Sequence, residues 1–120
     1  MKKTKGKNKI KFLKVKKIKI SRKWINWLND PEVRKYSTQK IKHTHLIQKN
    51  FLKNKLKDRS SIIFGVFFNK EHIGNLEITR INHFHKHCEI MYIIGEKKYW
   101  NRGLGTSIVA FGVDYAKKKL

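Results

Sequence analysis

Five residues near the end of the sequence, Arg102-Gly103-Leu104-Gly105-Thr106, combine what an anion needs. They follow an apolar run that closes on Gly95, and they precede an apolar-striped segment of helical period. A helix entered at this point presents backbone N–H groups that have no partner of their own, together with about half a positive charge from its macrodipole. Gly103 and Gly105 remove side chains that would hold a phosphate away from those amides. Arg102, Lys97 and Lys98 add formal positive charge, and the Thr106 hydroxyl adds a donor. A diphosphate suits this chemistry. Glycines before a helix also mark ordinary turns, so the loop gains weight from the strong strand and strong helix on either side of it.

Acid–base chemistry has fewer candidates. Glu89, and Glu77 on a neighbouring segment, are carboxylates that can take a proton from an amine; both are also natural solvent-facing strand residues. His83, His85 and His87 alternate, so a strand would place them on one face, where neutral imidazoles can ligate a metal. Only Cys88 and Glu89 lie near with ligating atoms, and the segment begins in a loop, so the sequence predicts polar loop histidines and no metal site. Trp24 and Trp27 read as the core of a first helix in preference to a substrate platform.

Several elements must position these residues. IKFLKVKKIKI (10–20) is β-branched and alternates imperfectly, which predicts a first strand within it. Ser21 is a natural cap for a short helix, RKWINWLND, ended by Asp30-Pro31. Thr44 opens HLIQKNFLKNKLK, with Leu46, Ile47, Phe51, Leu52 and Leu56 as the expected apolar stripe. SIIFGVFF (61–68) is apolar at both parities and so belongs inside a sheet. NKEH is expected to turn the chain into IGNLEITRI (73–81), and a loop holding NHFHKH leads to CEIMYIIG (88–95). Residues 104–119 carry two adjacent apolar stripes: Leu104, Ile108, Phe111 and Tyr115, then Val109, Val113, Ala116 and Leu120. That width predicts a largely buried helix. The order strand, two helices, three meandering strands, helix gives an α+β domain with a mostly antiparallel sheet and flanking helices.

Composition sets the frame. At 120 residues the chain is one domain, and 39% apolar with 12% aromatic residues is enough for a core. Net charge is +22, with ten lysines and no acid in residues 1–20. A basic arm over 1–9 can serve nucleic acid or another polyanion. Lys, Ile and Asn also share A- and T-rich codons, so genome composition alone can supply much of the lysine. A lone cysteine argues against a disulfide framework and fits a reducing, cytoplasmic setting. Lysines interrupt the apolar residues of the N-terminal segment, unlike a signal peptide. The longest apolar run, IIFGVFF, has seven residues, against about 20 for a membrane span.

The block 88–120 resembles the central motif of the GCN5-related N-acetyltransferases (GNAT), whose loop reads Gln/Arg-x-x-Gly-x-Gly/Ala and cradles the pyrophosphate of acetyl-CoA. The frame here is Trp100-Asn101-Arg102-Gly103-Leu104-Gly105. YWNRGLGTSI is similar to the yWGkGyatEA of the branch holding ribosomal-protein alanine and amino-sugar acetyltransferases. Asn101 stands for a glycine, and Ser107-Ile108 stand for Glu-Ala. WLNDPEVRKYS (27–37) and HIGNLEITRIN (72–82) also resemble that branch.

The resemblance implies the N-terminal portion of the acyl-CoA N-acyltransferase fold over 10–120. It implies acetyl-CoA as co-substrate, no metal, and direct attack of a primary amine on the thioester, the amine belonging to a nucleotide-linked amino sugar or a protein N-terminus. Cofactor contacts would come from the backbone of Met91, Tyr92, Ile93 and Ile94, and from Lys98, Trp100, Asn101, Arg102, Gly103, Leu104, Gly105 and Thr106. Family members continue past this helix with another strand, a helix and further strands. The expectation is therefore a truncated and inactive remnant, a chain that pairs the edge of its 88–95 strand with a second copy or another chain, or part of a longer frame. The alternative class is a small basic nucleic-acid-binding protein without catalysis, which explains the charge but not IIGEKKYWNRGLGT.

Overall fold

The computed structural model describes residues 10–17, 19–35 and 42–120; the arm expected at 1–9 lies outside them. Strands β1 (Ile10–Lys14), β2 (Ile62–Phe68), β3 (Glu71–Asn82) and β4 (His87–Ile94) form one antiparallel sheet in sequence order. Helices α1 (Arg22–Asn29) and α2 (His45–Lys57) separate β1 from β2, and α3 (Leu104–Lys119) follows β4.

The two-sided apolar pattern of β2 explains the layering. Phe64, Val66 and Phe68 join Ile73, Leu76, Ile78 and Ile108 in a cluster under α3, with Phe12 and Phe111 stacked at 3.9 Å on its border. Ile63 faces the other way, into a cluster with Trp24, Trp27 and Leu52 beneath α1 and α2. A strand apolar on both faces thus has a helical layer on each side, and β1 and β3 as neighbours on its edges.

Local signals set the element ends. The Ser21 hydroxyl accepts from the amide of Trp24 at 3.1 Å, and the Thr44 hydroxyl accepts from that of Ile47 at 3.1 Å, as N-caps should. Asn69 and Lys70 both take positive φ, 49° and 71°. They make a two-residue hairpin turn, tighter than the NKEH turn expected, so Glu71 and His72 already belong to β3. The loop expected around 82–87 likewise contracts to a turn over 83–86, because Asn82 pairs with His87.

Two expected apolar faces are corrected. On α2, Leu46 (68% exposed), Ile47 and Phe51 face outward, and Gln48 with Leu52 are buried. The helix packs through one narrow row, Gln48, Leu52 and Leu56, four residues apart, with the Gln48 amide satisfied by His43 Nδ1 at 2.7 Å. On α3, the stripe Leu104, Ile108, Phe111, Tyr115 meets the sheet as expected. The second stripe does not: Val109, Val113 and Leu120 are exposed, and among the described residues no element covers them. β4 lies at the edge of the sheet.

Candidate functional site

The predicted anion loop is where β4 hands over to α3. The strand ends at Ile94, and the amides of Gly95 and Glu96 both reach Ile73 O, at 2.7 and 3.3 Å. A single 3-10 turn, Lys97–Tyr99, follows. Asn101 and Gly103 then adopt left-handed backbone, with φ of 62° and 76°. Gly103 is the N-cap of α3 and offers no side-chain cap, and no acid occupies the first turn. A Cβ on Gly103 would meet nothing within 4 Å. The amides of Leu104, Gly105 and Thr106 therefore start a 16-residue helix beside open space. Glycine is required at 103 by its backbone conformation. At 105 a Cβ would approach the Tyr92 hydroxyl to 2.5 Å, so a larger residue there must displace the end of that side chain.

A network anchored on other elements holds the loop. Tyr99 packs edge-on against Phe68, with ring centroids 5.2 Å apart, and its hydroxyl donates to Glu71 Oε1 at 2.8 Å. That donor, with Lys23 behind it, holds the Glu71 carboxyl below its ordinary range, and Glu71 in return raises the tyrosine. Trp27 Nε1 donates to Glu96 at 3.0 Å from α1. Lys97 reaches both Glu32 at 2.6 Å and Asp30 at 2.9 Å, and these bonds raise its pKa and lower that of Asp30. Trp100 Nε1 donates to Ile94 O at 2.6 Å.

These contacts sort the expected site residues. Arg102, Gly103, Leu104, Gly105 and Thr106 lie together at the helix start, with Asn101 and Trp100 leading in. Lys98 is drawn toward Glu71 at 3.4 Å, so both loop lysines are engaged by carboxylates. Arg102 stacks over the Tyr99 ring at 5.5 Å and has no acidic partner among the described residues. Met91, Tyr92, Ile93 and Ile94 lie along the edge strand β4, and the Ile94 carbonyl accepts from Trp100 Nε1.

The two candidate bases lie elsewhere on the sheet. Glu77 pairs with Lys55 at 2.6 Å beneath α2. Glu89 makes a loose pair with Arg80 at 3.3 Å, with both side chains mostly in solvent. His85 and His87 stack with centroids 6.2 Å apart. No group of three metal-ligating side chains gathers among the described residues, and no helix there is long and apolar enough to cross a membrane. Sequence reading placed Trp27 in the core, where it is buried, but missed its bond to Glu96 and the anchors Glu71 and Tyr99. The bond from Trp27 to Glu96 spans 69 residues, and no local pattern announces such a contact.

A family model described as an acetyltransferase (GNAT) domain matches residues 20–120. Among solved structures, the spermidine N-acetyltransferase of Vibrio cholerae in complex with CoA and spermine is similar to this chain. The match has TM-score 0.72 and 17% identity, covering 89% of this chain and 63% of that one. A dodecameric structure of spermidine N-acetyltransferase from the same organism gives TM-score 0.64 at 15% identity, over 89% and 61%. A domain from Methanocaldococcus jannaschii gives 0.69 at 16%, over 92% and 71%. The chain thus spans less than two thirds of the length of those spermidine enzymes. No sequence among curated proteins matches it significantly. At these identities the likeness is one of fold.

Proposed function

The chain belongs to the GNAT acetyltransferase family, and on that premise we propose that it binds acetyl-CoA as co-substrate and transfers the acetyl group to a primary amine. Its sheet and helices are the N-terminal portion of that fold. The observation that carries the proposal is the uncapped start of α3, with Gly103 at φ 76° and open space in front of it. In this reading the diphosphate lies on the amides of Leu104, Gly105 and Thr106, with Arg102 and the Thr106 hydroxyl beside it. Trp100 and Asn101 shape the approach, and Lys98 stands at its margin. Pantetheine runs along the edge of β4 against the backbone of Met91, Tyr92 and Ile93. The Ile94 carbonyl serves to hold Trp100.

The neutral amine attacks the thioester carbon. The C–N bond forms as the C–S bond breaks, the thiolate leaves and takes a proton, and the ammonium proton passes to a base. Glu89 is the candidate base, directly or through water, because its pair with Arg80 is solvent-exposed and screened. Glu77 is the weaker candidate, being committed to Lys55.

The acceptor is read from charge. Spermine, bound in the Vibrio cholerae structure, is a polycation and needs spare carboxylates. The sequence has eight acids. Asp30, Glu32, Glu71, Glu77, Glu89, Glu96 and Asp114 are ion-paired, and Asp58 is held by Ser60 at 2.6 Å. With a net charge of +22 besides, a polyamine would be repelled. An amine attached to an anion, such as a nucleotide-linked amino sugar, fits this charge better than a polyamine or a protein N-terminus, whose α-amino group is itself largely cationic.

Thermal melting with acetyl-CoA, ATP and inorganic pyrophosphate tests the cofactor reading. Acetyl-CoA should raise the Tm by several degrees, and well beyond the other two. Equal shifts from all three would remove the basis for the assignment. Release of free thiol in the presence of a UDP-linked amino sugar, spermidine or an N-terminal peptide then ranks the acceptors.

A further inference from the structure

A second basic feature lies at the other end of the sheet. β2 begins beside a groove of about 450 Å³ lined by Lys14, Lys16, Lys55, Arg59, Ser61 and Ile63 among others. The α3 loop abuts the end of β4, where Ile94 aligns with Gly74 and Val66. The groove abuts the row of Ile62, Ile78 and Ile90. The two features are four residues apart along the strands, about 13 Å.

The charges in this groove are unequal. Lys55 is neutralised by Glu77 at 2.6 Å and touches the hydroxyls of Ser61 and Thr79, both at 3.4 Å. Lys14, Lys16 and Arg59 have no carboxylate partner among the described residues. Asp58, the nearest acid in sequence, is held by the hydroxyls of Ser60 at 2.6 Å and Ser61 at 3.4 Å. Three unpaired cations thus line one concavity whose bordering carboxylates, Glu77 and Asp58, are engaged by Lys55 and by Ser60 and Ser61. Phe51 adjoins it, 40% exposed, with Lys55 Nζ 5.6 Å from its ring centroid. An apolar ring left in water beside a cationic groove suits a ligand with both phosphates and flat bases.

We propose that the groove between the end of β1 and the C-terminal end of α2 binds single-stranded nucleic acid, with Lys14, Lys16 and Arg59 on the phosphates and Phe51 stacking on a base. This site is separate from the acetyl-CoA reading and stands whether or not that reading holds.

Fluorescence anisotropy with a labelled 20-nucleotide oligo-dT tests it. A variant carrying K14Q, K16Q and R59Q should bind at least tenfold more weakly, and the slope of log K against log salt should fall by about 2. A control carrying K117Q, K118Q and K119Q loses the same three charges at the exposed end of α3 and should bind within about threefold of the parent. Phe51→Ala should weaken the single strand about fivefold or more while leaving its salt slope unchanged. Equal losses in the two triple variants would show diffuse charge and overturn the proposal. So would polyglutamate or duplex DNA competing as well as the single strand. Circular dichroism and the acetyl-CoA melting shift, both expected to persist in the groove variant, separate loss of this site from loss of the fold or of the cofactor site.

Discussion

The indole ring of Trp27 occupies the space that a side chain at Gly95 would need, and its Nε1–H donates to Glu96 one residue further on, at 3.0 Å. Helix α1 is thereby seated on the first residues of the β4–α3 loop. Gly95→Ala should cost about 1–3 kcal/mol, the usual range for overpacking a filled site. Trp27→Ala alone should cost about 3–5 kcal/mol. Urea denaturation of both single variants and the double variant checks the contact, because the double should cost less than the sum. Strict additivity would mean that the two residues do not share the space.

The glycines of the α3 entrance should fail in different ways. At Gly103 a Cβ meets open space, so Gly103→Ala bears only the strain of a positive φ, about 1–2 kcal/mol. It should fold and still bind acetyl-CoA at least tenfold more weakly, since the methyl stands where the diphosphate is proposed. Gly105→Ala drives a methyl toward the Tyr92 hydroxyl at 2.5 Å, so its melting temperature should fall. Adding Tyr92→Phe should recover part of that loss. The same Tyr92→Phe change should leave the melting temperature of Gly103→Ala unchanged.

Much of this arrangement was legible locally. The Ser21 and Thr44 caps, the Gly103 start of α3 and the central place of β2 each rest on residues adjacent in sequence, where capping, backbone freedom and two-sided apolarity act alone. The failures share one cause. Val109, Val113, Leu46 and Phe51 look like core residues to any periodicity argument, but whether a face is covered depends on which other elements reach it. The electrostatics of the loop were hidden similarly. Lys97 and Lys98 read as free charge until chain topology brings Glu32, Asp30 and Glu71 to them. Arg102 stacks on Tyr99 and has no acidic partner among the described residues.

Glu77 and Lys55 make a partly enclosed pair, with side chains 19% and 24% exposed. Glu77→Gln should cost about 1–3 kcal/mol, because it leaves an ammonium under α2 with only the Ser61 and Thr79 hydroxyls. Lys55→Met combined with Glu77→Gln should be less harmful than Glu77→Gln alone. If Glu77 is structural, turnover in the thiol-release assay should survive its substitution at temperatures where the variant is folded. Glu89→Gln, which disturbs only an exposed pair, should lower kcat with little change in melting temperature.

His72 and His43 should together make the fold respond to mild acid. The His72 ring stacks on Phe67 at 4.8 Å and meets Trp27 edge-on at 4.9 Å, and its Nε2 lies 2.9 Å from the Asn75 side-chain amide. Burial is the largest cause and lowers the pKa of His72 from 6.5. The same holds for His43, lowered first by burial and then by Arg34. In the unfolded chain both histidines take a proton as pH falls through about 6.5, and the folded chain resists it. Stability is therefore unaffected above that pH and declines below it. Asp30, Asp58 and Glu71 are all held low by hydrogen bonds, so their contribution is lost in a separate, more acidic limb below about pH 4. Melting temperatures taken from pH 8 to pH 3 should show both limbs. His72→Phe, which keeps a ring among Phe67, Trp24 and Trp27, should shrink the upper limb to the part left by His43 and leave the acidic limb in place. An unchanged upper limb in that variant would mean that His72 is protonated as easily in the folded chain as in water.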